Sequence, residues 1–268
     1  MPIRFDELRE RRAARERGAP SGRPGDPGPV RAVAAALQAR LDALPPAAAS
    51  RATFLGVYAR VTVAVADAVA AGKFEDPAWV SAWDEVFADL FLDAHDADLR
   101  GAPVPRPWRL AFGADPAMHP LGHLLLGMNA HINFDLPQSV VAVVAADDFA
   151  DPAVLAARDR DHARIDDVLF ARVRAEDADL GWKLRRLDRA LAPVNRWASR
   201  RFLRESREKV WHNTAVLHEA REAGGDAYVS RVGELDVLTS AKIAELLRPG
   251  PVLLRLAFQG FGVTLPPS

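Results

Sequence analysis

The chain has 268 residues, of which 49% are hydrophobic, with 35 Lys and Arg against 36 Asp and Glu and no cysteine. This length and apolar content predict a globular protein with a full hydrophobic core, and the net charge of −1 argues against a surface built to coat nucleic acid. The absence of cysteine excludes disulfides, thiolate zinc sites, iron–sulfur clusters and cysteine nucleophiles.

Residues 1–28 form a predicted charged, flexible N-terminal arm and linker, and residues 29–268 a single domain. The segment 1–18 is charged and lacks the apolar core of a signal peptide, while 19–28 is rich in Pro and Gly. No stretch approaches the roughly 20 apolar residues of a membrane span, so we expect a cytoplasmic protein with no membrane span. The excess of Arg over Lys and the abundant Ala indicate a high-GC genome, such as that of an actinobacterium.

Helical signals dominate the rest of the chain. Asp76-Pro77 is typical of a helix start, and the residues that follow place an aromatic side chain at every fourth position: Trp79, Trp83, Phe87 and Phe91. A helix from about residue 117 is expected to be interrupted at Pro137, and Asp151-Pro152 starts another. Because no alternating strand pattern occurs, the prediction is an all-α, single multi-helix bundle-like domain of about eight to ten helices.

The segment from Met118 to Gln138 carries the densest polar chemistry. His123, Gly127, His131 and Asp135 follow one another at four-residue spacing and so share a helix face. A histidine and a carboxylate one turn apart can bind the same metal ion. With two flanking amides they form the predicted catalytic group: Asn129, His131, Asn133 and Asp135.

Two structural interpretations compete with this site. Asp135 and Gln138 have the spacing of a capping box, in which Asp135 would start the next helix and bind no metal. His131 alone is more often a hydrogen-bonded core histidine than a ligand.

A second polar cluster lies between Asp159 and Asp167. His162 and Asp166 are one turn apart, and two such helices facing each other can enclose metal ions. The competing interpretation is a solvated helix face, because arginines alternate with these acids. The predicted ligands of a zinc, iron or manganese ion are His123, His131, Asp135, His162, Asp166 and His212.

A third region surrounds Trp211-His212. Arginines precede it at near four-residue spacing, at Arg196, Arg200, Arg204 and Arg207, and could bind a phosphate or remain solvated. The residues predicted to line a substrate pocket are Tyr58, Trp83, Arg207 and Trp211. Asp147-Asp148-Phe149-Ala150-Asp151 matches the D-D-x-x-D pattern of terpene synthases, although Asp151-Pro152 is equally typical of a helix start.

The segment GMNAHINFDLP, from Gly127 to Pro137, resembles domain-of-unknown-function family 5995, a mainly actinobacterial helical family. Softer matches are FLGVYARVT from Phe54, FEDPAWV from Phe74, RIDDVL from Arg164 and REKVW from Arg207, so the resemblance covers roughly residues 50–220. It implies a helical fold and a shared polar centre. His131, Asp135 and Pro137 are also similar to a pattern in helical zinc phospholipases and nucleases, but the chain lacks the secretion signal and N-terminal tryptophan ligand of that group.

These observations leave several functions open, each with a small-molecule substrate or a protein partner. The lead hypothesis is metal-dependent hydrolysis of a phosphoester-like substrate, and its nearest variant is oxygen chemistry at non-haem iron. The second is metal-free binding or cyclisation of an apolar small molecule. The third is a non-catalytic helical interaction domain with a buried polar network.

Overall fold

A computed structural model describes residues 25–180, 185–250, 256 and 260–267, and the side chains of all of these except 170, 172–180 and 185–203. Most of the predicted N-terminal arm therefore lies outside the described residues, and Gly28 already begins the first described helix. Within the described ranges the regular structure is helical and no strand occurs. The all-α prediction is confirmed.

The α-helices of the described chain fall within the predicted range of about eight to ten. Two 3₁₀ turns, Pro46–Arg51 and Asp147–Ala150, and one π-helical segment, His131–Asp135, connect some of them. In chain order the helices are α1 (Gly28–Asp42), α2 (Ala52–Ala70), α3 (Pro77–Leu99), α4 (Arg106–Phe112), α5 (Pro120–Ala130), α6 (Leu136–Val143), α7 (Pro152–Leu180), α8 (Arg185–Ala223) and α9 (Gly225–Leu246).

The centre of the fold is the continuous run of α5, the π-helical segment and α6. Helix α5 contacts α2, α4 and α9, while α6 contacts α3 and α8. Every residue of α6 is buried, including the polar Gln138 and Ser139, so this helix lies inside the core. The polar residues of this run are thereby carried into the middle of the molecule.

The predicted interruption at Pro137 is wrong, because the helix widens there instead of ending. The Leu136 N–H donates to the His131 carbonyl five residues back, which is the π-helical pattern. Proline lacks an N–H and its ring crowds the preceding turn, and a π-helical turn accommodates both in an unbroken helix. The capping box is wrong as well, because Asp135 caps no backbone N–H and the Gln138 amide donates to the Phe134 carbonyl.

The start of α3 is fixed by two aspartates. Asp76 accepts a hydrogen bond from the Trp79 N–H at 2.9 Å, so the predicted N-cap is confirmed. The fully buried Asp161 of α7 accepts from the backbone N–H groups of Glu75 and Asp76, each at 2.8 Å. Asp161 therefore joins α7 to the first turn of α3.

The segment Pro46–Ala70 is long and apolar enough, by length and composition, to cross a membrane. Most of its most apolar stretch is buried inside the fold. Burial of this kind is what the core helix of a globular protein shows, and the absence of a membrane span stays a prediction.

Candidate functional site

His131 and Asp135 form a buried hydrogen-bonded pair at the π-helical segment. The His131 Nδ1 lies 2.9 Å from the Asp135 Oδ2, and the Trp108 Nε1–H of α4 donates to the same oxygen at 2.9 Å. Both paired side chains are nearly inaccessible, at 5% and 2% exposure. Their four-residue spacing predicted this contact, whereas no pattern in the sequence predicted the third partner, Trp108.

Aromatic rings fix the plane of the His131 imidazole. The Phe87 ring stacks on it with the ring centroids 3.5 Å apart and the planes 6° apart, and the Tyr58 centroid lies 4.7 Å away. A stacked imidazole that is also hydrogen-bonded through Nδ1 has little freedom to rotate. The opposite nitrogen, Nε2, is therefore held in one direction.

The protonation of this pair follows from its surroundings. Burial lowers the pKa of His131 well below its ordinary value, so the imidazole is neutral. Burial raises the pKa of Asp135, while hydrogen-bond donation from Trp108 opposes that rise. We assign the imidazole proton to Nδ1, because the Oδ2 that it faces already acts as an acceptor for Trp108. Nε2 then carries a lone pair, and it has no hydrogen-bond partner.

His131 lies on the wall of a cavity of about 150 Å³ that is lined by residues of α2, α3, the run from α5 to α6, α7 and α8. The wall is mostly apolar, and includes Val57, Val61, Phe87, Ile132 and Leu169. Tyr58, Trp83 and Arg207 line it as well, as the sequence predicts. Trp211 is not among the lining residues, and its ring lies 6.3 Å from that of His162.

Several polar atoms along the cavity wall are buried without a hydrogen-bond partner. They are the Tyr58 hydroxyl, the Asp84 Oδ2, the His131 Nε2, the His162 Nδ1 and the Ser206 Oγ. Buried polar groups are usually hydrogen-bonded, so a group of unpaired ones facing one cavity is typical of a binding site.

Asp84 is a carboxyl on this cavity wall that sequence reasoning missed. Burial raises its pKa to about 8, with a smaller contribution from Glu85. Its signal in the sequence was its place within the aromatic repeat, directly after Trp83 and three residues before Phe87, which puts it beside the face that carries those rings.

His162 and Asp166 reach the same cavity from α7, so the interpretation of this helix face as fully solvated is wrong. Burial lowers the pKa of His162 to about 3, helped by the charge of Arg207. Burial also raises the pKa of Asp166 to about 7, even though Arg207 donates to it at 3.1 Å and opposes the rise. Arg207 pairs with Asp159 as well, at 3.2 Å.

The other arginines of the predicted stripe do not reach this site in the described residues. Arg204 is largely exposed beside Glu208 on the same helix, and the side chains of Arg196 and Arg200 lie outside the described residues. Asp147 is exposed and Asp151 caps the Ala153 N–H at the start of α7, so the D-D-x-x-D segment is not part of the cavity.

Asn129 and Asn133 face away from the cavity and hold the C-terminal segment. Both side-chain amides donate to the Phe261 carbonyl, at 3.2 and 3.1 Å, and the Asn133 Oδ1 accepts from the Val263 N–H. These two residues, predicted to be catalytic, therefore contact backbone and not the cavity. The described residues 260–267 of this segment lie outside helices and strands.

The remaining predicted ligands also lie apart. The His212 Nε2 bonds the Leu265 carbonyl at 2.9 Å, so His212 belongs to the tail contact. His123 lines a separate cavity of about 20 Å³, and Phe54 lies between this cavity and the larger one. Within the described part of the chain no three His, Asp or Glu side chains are grouped as metal ligands. The six predicted ligands are therefore not brought together at one point.

Comparison with known proteins agrees with the resemblance carried by Gly127–Pro137. The family of unknown function DUF5995 matches residues 30–249, which covers most of the chain and the whole of the cavity wall described above. Neither the curated proteins nor the solved structures contain a match. The chain therefore belongs to family DUF5995.

Proposed function

We propose that this protein binds a small, mostly apolar molecule in the central cavity and that His131 accepts a hydrogen bond from the polar end of that molecule. The observation that carries the proposal is the state of the His131 imidazole. Its Nδ1 is bonded to Asp135, while its buried Nε2 has no partner and belongs to the cavity wall. A fixed, neutral imidazole with one unpaired nitrogen is suited to accept a hydrogen bond from a ligand O–H or N–H.

The size of the cavity limits the ligand. A cavity of about 150 Å³ holds a molecule about as large as benzene. The apolar wall supplies binding free energy by excluding water, while the few unpaired polar atoms orient the ligand. This supports a compact ring or short chain with a single polar group.

The ligand group that meets His131 is therefore a hydrogen-bond donor. Because burial keeps the imidazole neutral and its Nδ1–H is directed at Asp135, the Nε2 lone pair accepts an O–H or N–H of the ligand, and no proton is transferred. Asp135 also accepts a hydrogen bond from Trp108, and this holds the imidazole in its tautomer and orientation.

Phenol and toluene test this proposal, because they have the same shape and differ in one hydrogen-bonding group. We expect phenol to bind the wild-type protein at least tenfold more tightly, as measured by calorimetry. In the variant His131→Phe, which keeps a ring against Phe87, toluene should still bind and the preference for phenol should disappear.

Two matched variants on α2 test the location of the binding site. Val57→Phe fills the cavity and should abolish binding of both probes, whereas Val63→Phe changes a residue that is 49% exposed and should bind them normally. Failure of the wild-type protein to bind either probe would overturn the proposal and favour the non-catalytic interaction domain. An unchanged preference for phenol in His131→Phe would show that His131 does not bind the polar group of the ligand.

Metal-dependent hydrolysis, or oxygen chemistry at iron, stays a second candidate. It is favoured by two imidazole nitrogens on the same cavity, the His131 Nε2 and the His162 Nδ1, both without a partner. Asp135 is a less suitable metal ligand, because its Oδ2 already accepts two hydrogen bonds. Elemental analysis of purified, tag-free protein tests it: one equivalent of zinc, iron or manganese that is lost in His131→Ala would establish the metal site, and its absence from both proteins would eliminate the candidate.

A further inference from the structure

Asp84 stands out among the titratable groups of the cavity because it has no cationic partner in the described chain. Asp166, the other carboxyl on the wall, is paired with Arg207 at 3.1 Å. The charge of Arg207 is already shared between Asp166 and Asp159. Asp84 accepts no hydrogen bond from any described residue, and its Oδ2 is buried. A carboxylate in this position is poorly stabilised unless a bound molecule supplies the positive charge.

The wall around Asp84 is suited to a cation for a second reason. Aromatic rings surround the cavity at Tyr58, Trp83 and Phe87, and the Tyr58 and Phe87 centroids lie 6.2 Å apart. The faces of such rings carry negative potential and attract an ammonium group, more strongly when water is excluded. The Tyr58 hydroxyl, on a side chain that is 8% exposed, is also unpaired and can accept a hydrogen bond.

We infer that the molecule bound in this cavity carries an amine and that Asp84 is its counter-ion. This inference rests on the proposed function and names the class of ligand. The unpaired carboxyl, the aromatic wall and the pairing of Arg207 with other acids all favour a positive charge on the ligand over a negative one.

The proton balance on binding is simple. Before a ligand binds, the Asp84 carboxyl holds its proton at neutral pH, because burial raises its pKa to about 8. An alkylamine has a pKa near that of lysine, about 10.4, so a neutral amine takes the proton from Asp84 and forms an ammonium–carboxylate pair. An amine that enters already protonated displaces the Asp84 proton to water and forms the same pair.

Benzylamine and benzyl alcohol test the inference, because they differ only in the replacement of NH₂ by OH. We expect benzylamine to bind the wild-type protein at least tenfold more tightly in calorimetry at pH 7. In Asp84→Asn the affinity for benzyl alcohol should be kept and the preference for the amine lost. Asp147→Asn, which changes an exposed aspartate that is not among the lining residues, is the matched control and should behave as the wild type.

The possible outcomes distinguish failure of the amine inference from failure of the proposed function. Equal affinities for the two probes in the wild type, or a preference for the amine that survives in Asp84→Asn, would overturn the amine inference and leave the binding site standing. Binding of neither probe would overturn both. Binding of benzyl alcohol to Asp84→Asn also shows that the variant is folded.

Discussion

Replacing Asp84 by Asn should stabilise the folded protein, and the gain should grow with pH. Burial raises the pKa of Asp84 to about 8 in the folded state, whereas an unfolded chain releases this proton near the ordinary value of about 3.9. Between these values the folded state holds a proton that the unfolded state has lost. The Asp84 contribution to stability therefore falls as pH rises through this window.

The magnitude follows from the same two values. At pH 7, about three pH units above the ordinary pKa, keeping this carboxyl protonated costs about 4 kcal/mol when it is fully buried. Asp84 is only partly buried by its accessible surface, so solvent screens the carboxyl, and we expect roughly half of this, ~2 kcal/mol. Asparagine has the same shape and carries no charge at any pH, so the variant avoids this cost.

Urea unfolding between pH 5 and pH 8 measures the effect. The difference in the free energy of unfolding between Asp84→Asn and the wild type should be smallest at pH 5 and increase towards pH 8. Taking this difference removes the contributions of other buried acids, such as Asp166. Asp147→Asn is the control and should follow the wild type throughout. Equal stability of Asp84→Asn and the wild type at every pH would refute the reasoning, because the carboxyl would then ionise as freely in the cavity as in the unfolded chain.

Three further predictions concern packing and hydrogen bonding around the site. Gly127→Ala places a Cβ 2.7 Å from the Phe54 ring and should cost about 1–3 kcal/mol in urea unfolding; an unchanged stability would contradict this packing. Asp161→Ala leaves two backbone N–H groups without their acceptor and should lower the free energy of unfolding by about 2 kcal/mol. A melting temperature equal to that of the wild type would contradict this. Asn213→Ala removes the acceptor of the Leu265 N–H, so hydrogen exchange at that amide should accelerate; unchanged exchange would show that Asn213 does not hold the tail.

The fold class and the main pair of the site could be predicted because both depend on local spacing. Helix periodicity and the Asp76-Pro77 start signal act within a few residues, and the structure follows them. The four-residue separation of His131 and Asp135 similarly predicts that their side chains meet on one helix face. Asn129 and Asn133 each lie two residues from His131, which is about 200° around the helix. The same spacing therefore indicates that they face the opposite side, against their predicted place in the catalytic group.

The rest of the site depends on tertiary packing. Asp84 and Trp108 lie on other helices than His131. Only the folded structure shows that Asp84 lines the same cavity as His131 and that Trp108 donates a hydrogen bond to Asp135. The effect of Pro137 was misjudged for a different reason. A proline breaks an isolated helix, but burial of every residue of α6 favours a continuous helix with a π-helical turn.

Nitrogen-15 NMR of the His131 side chain tests the central claim most directly, with His131→Phe used to assign its signals. The account predicts a neutral imidazole protonated at Nδ1 from pH 5 to pH 8, and an Nε2 signal that shifts when phenol is added. A charged imidazolium in the empty protein, a proton on Nε2, or an Nε2 signal that phenol leaves unchanged would contradict it.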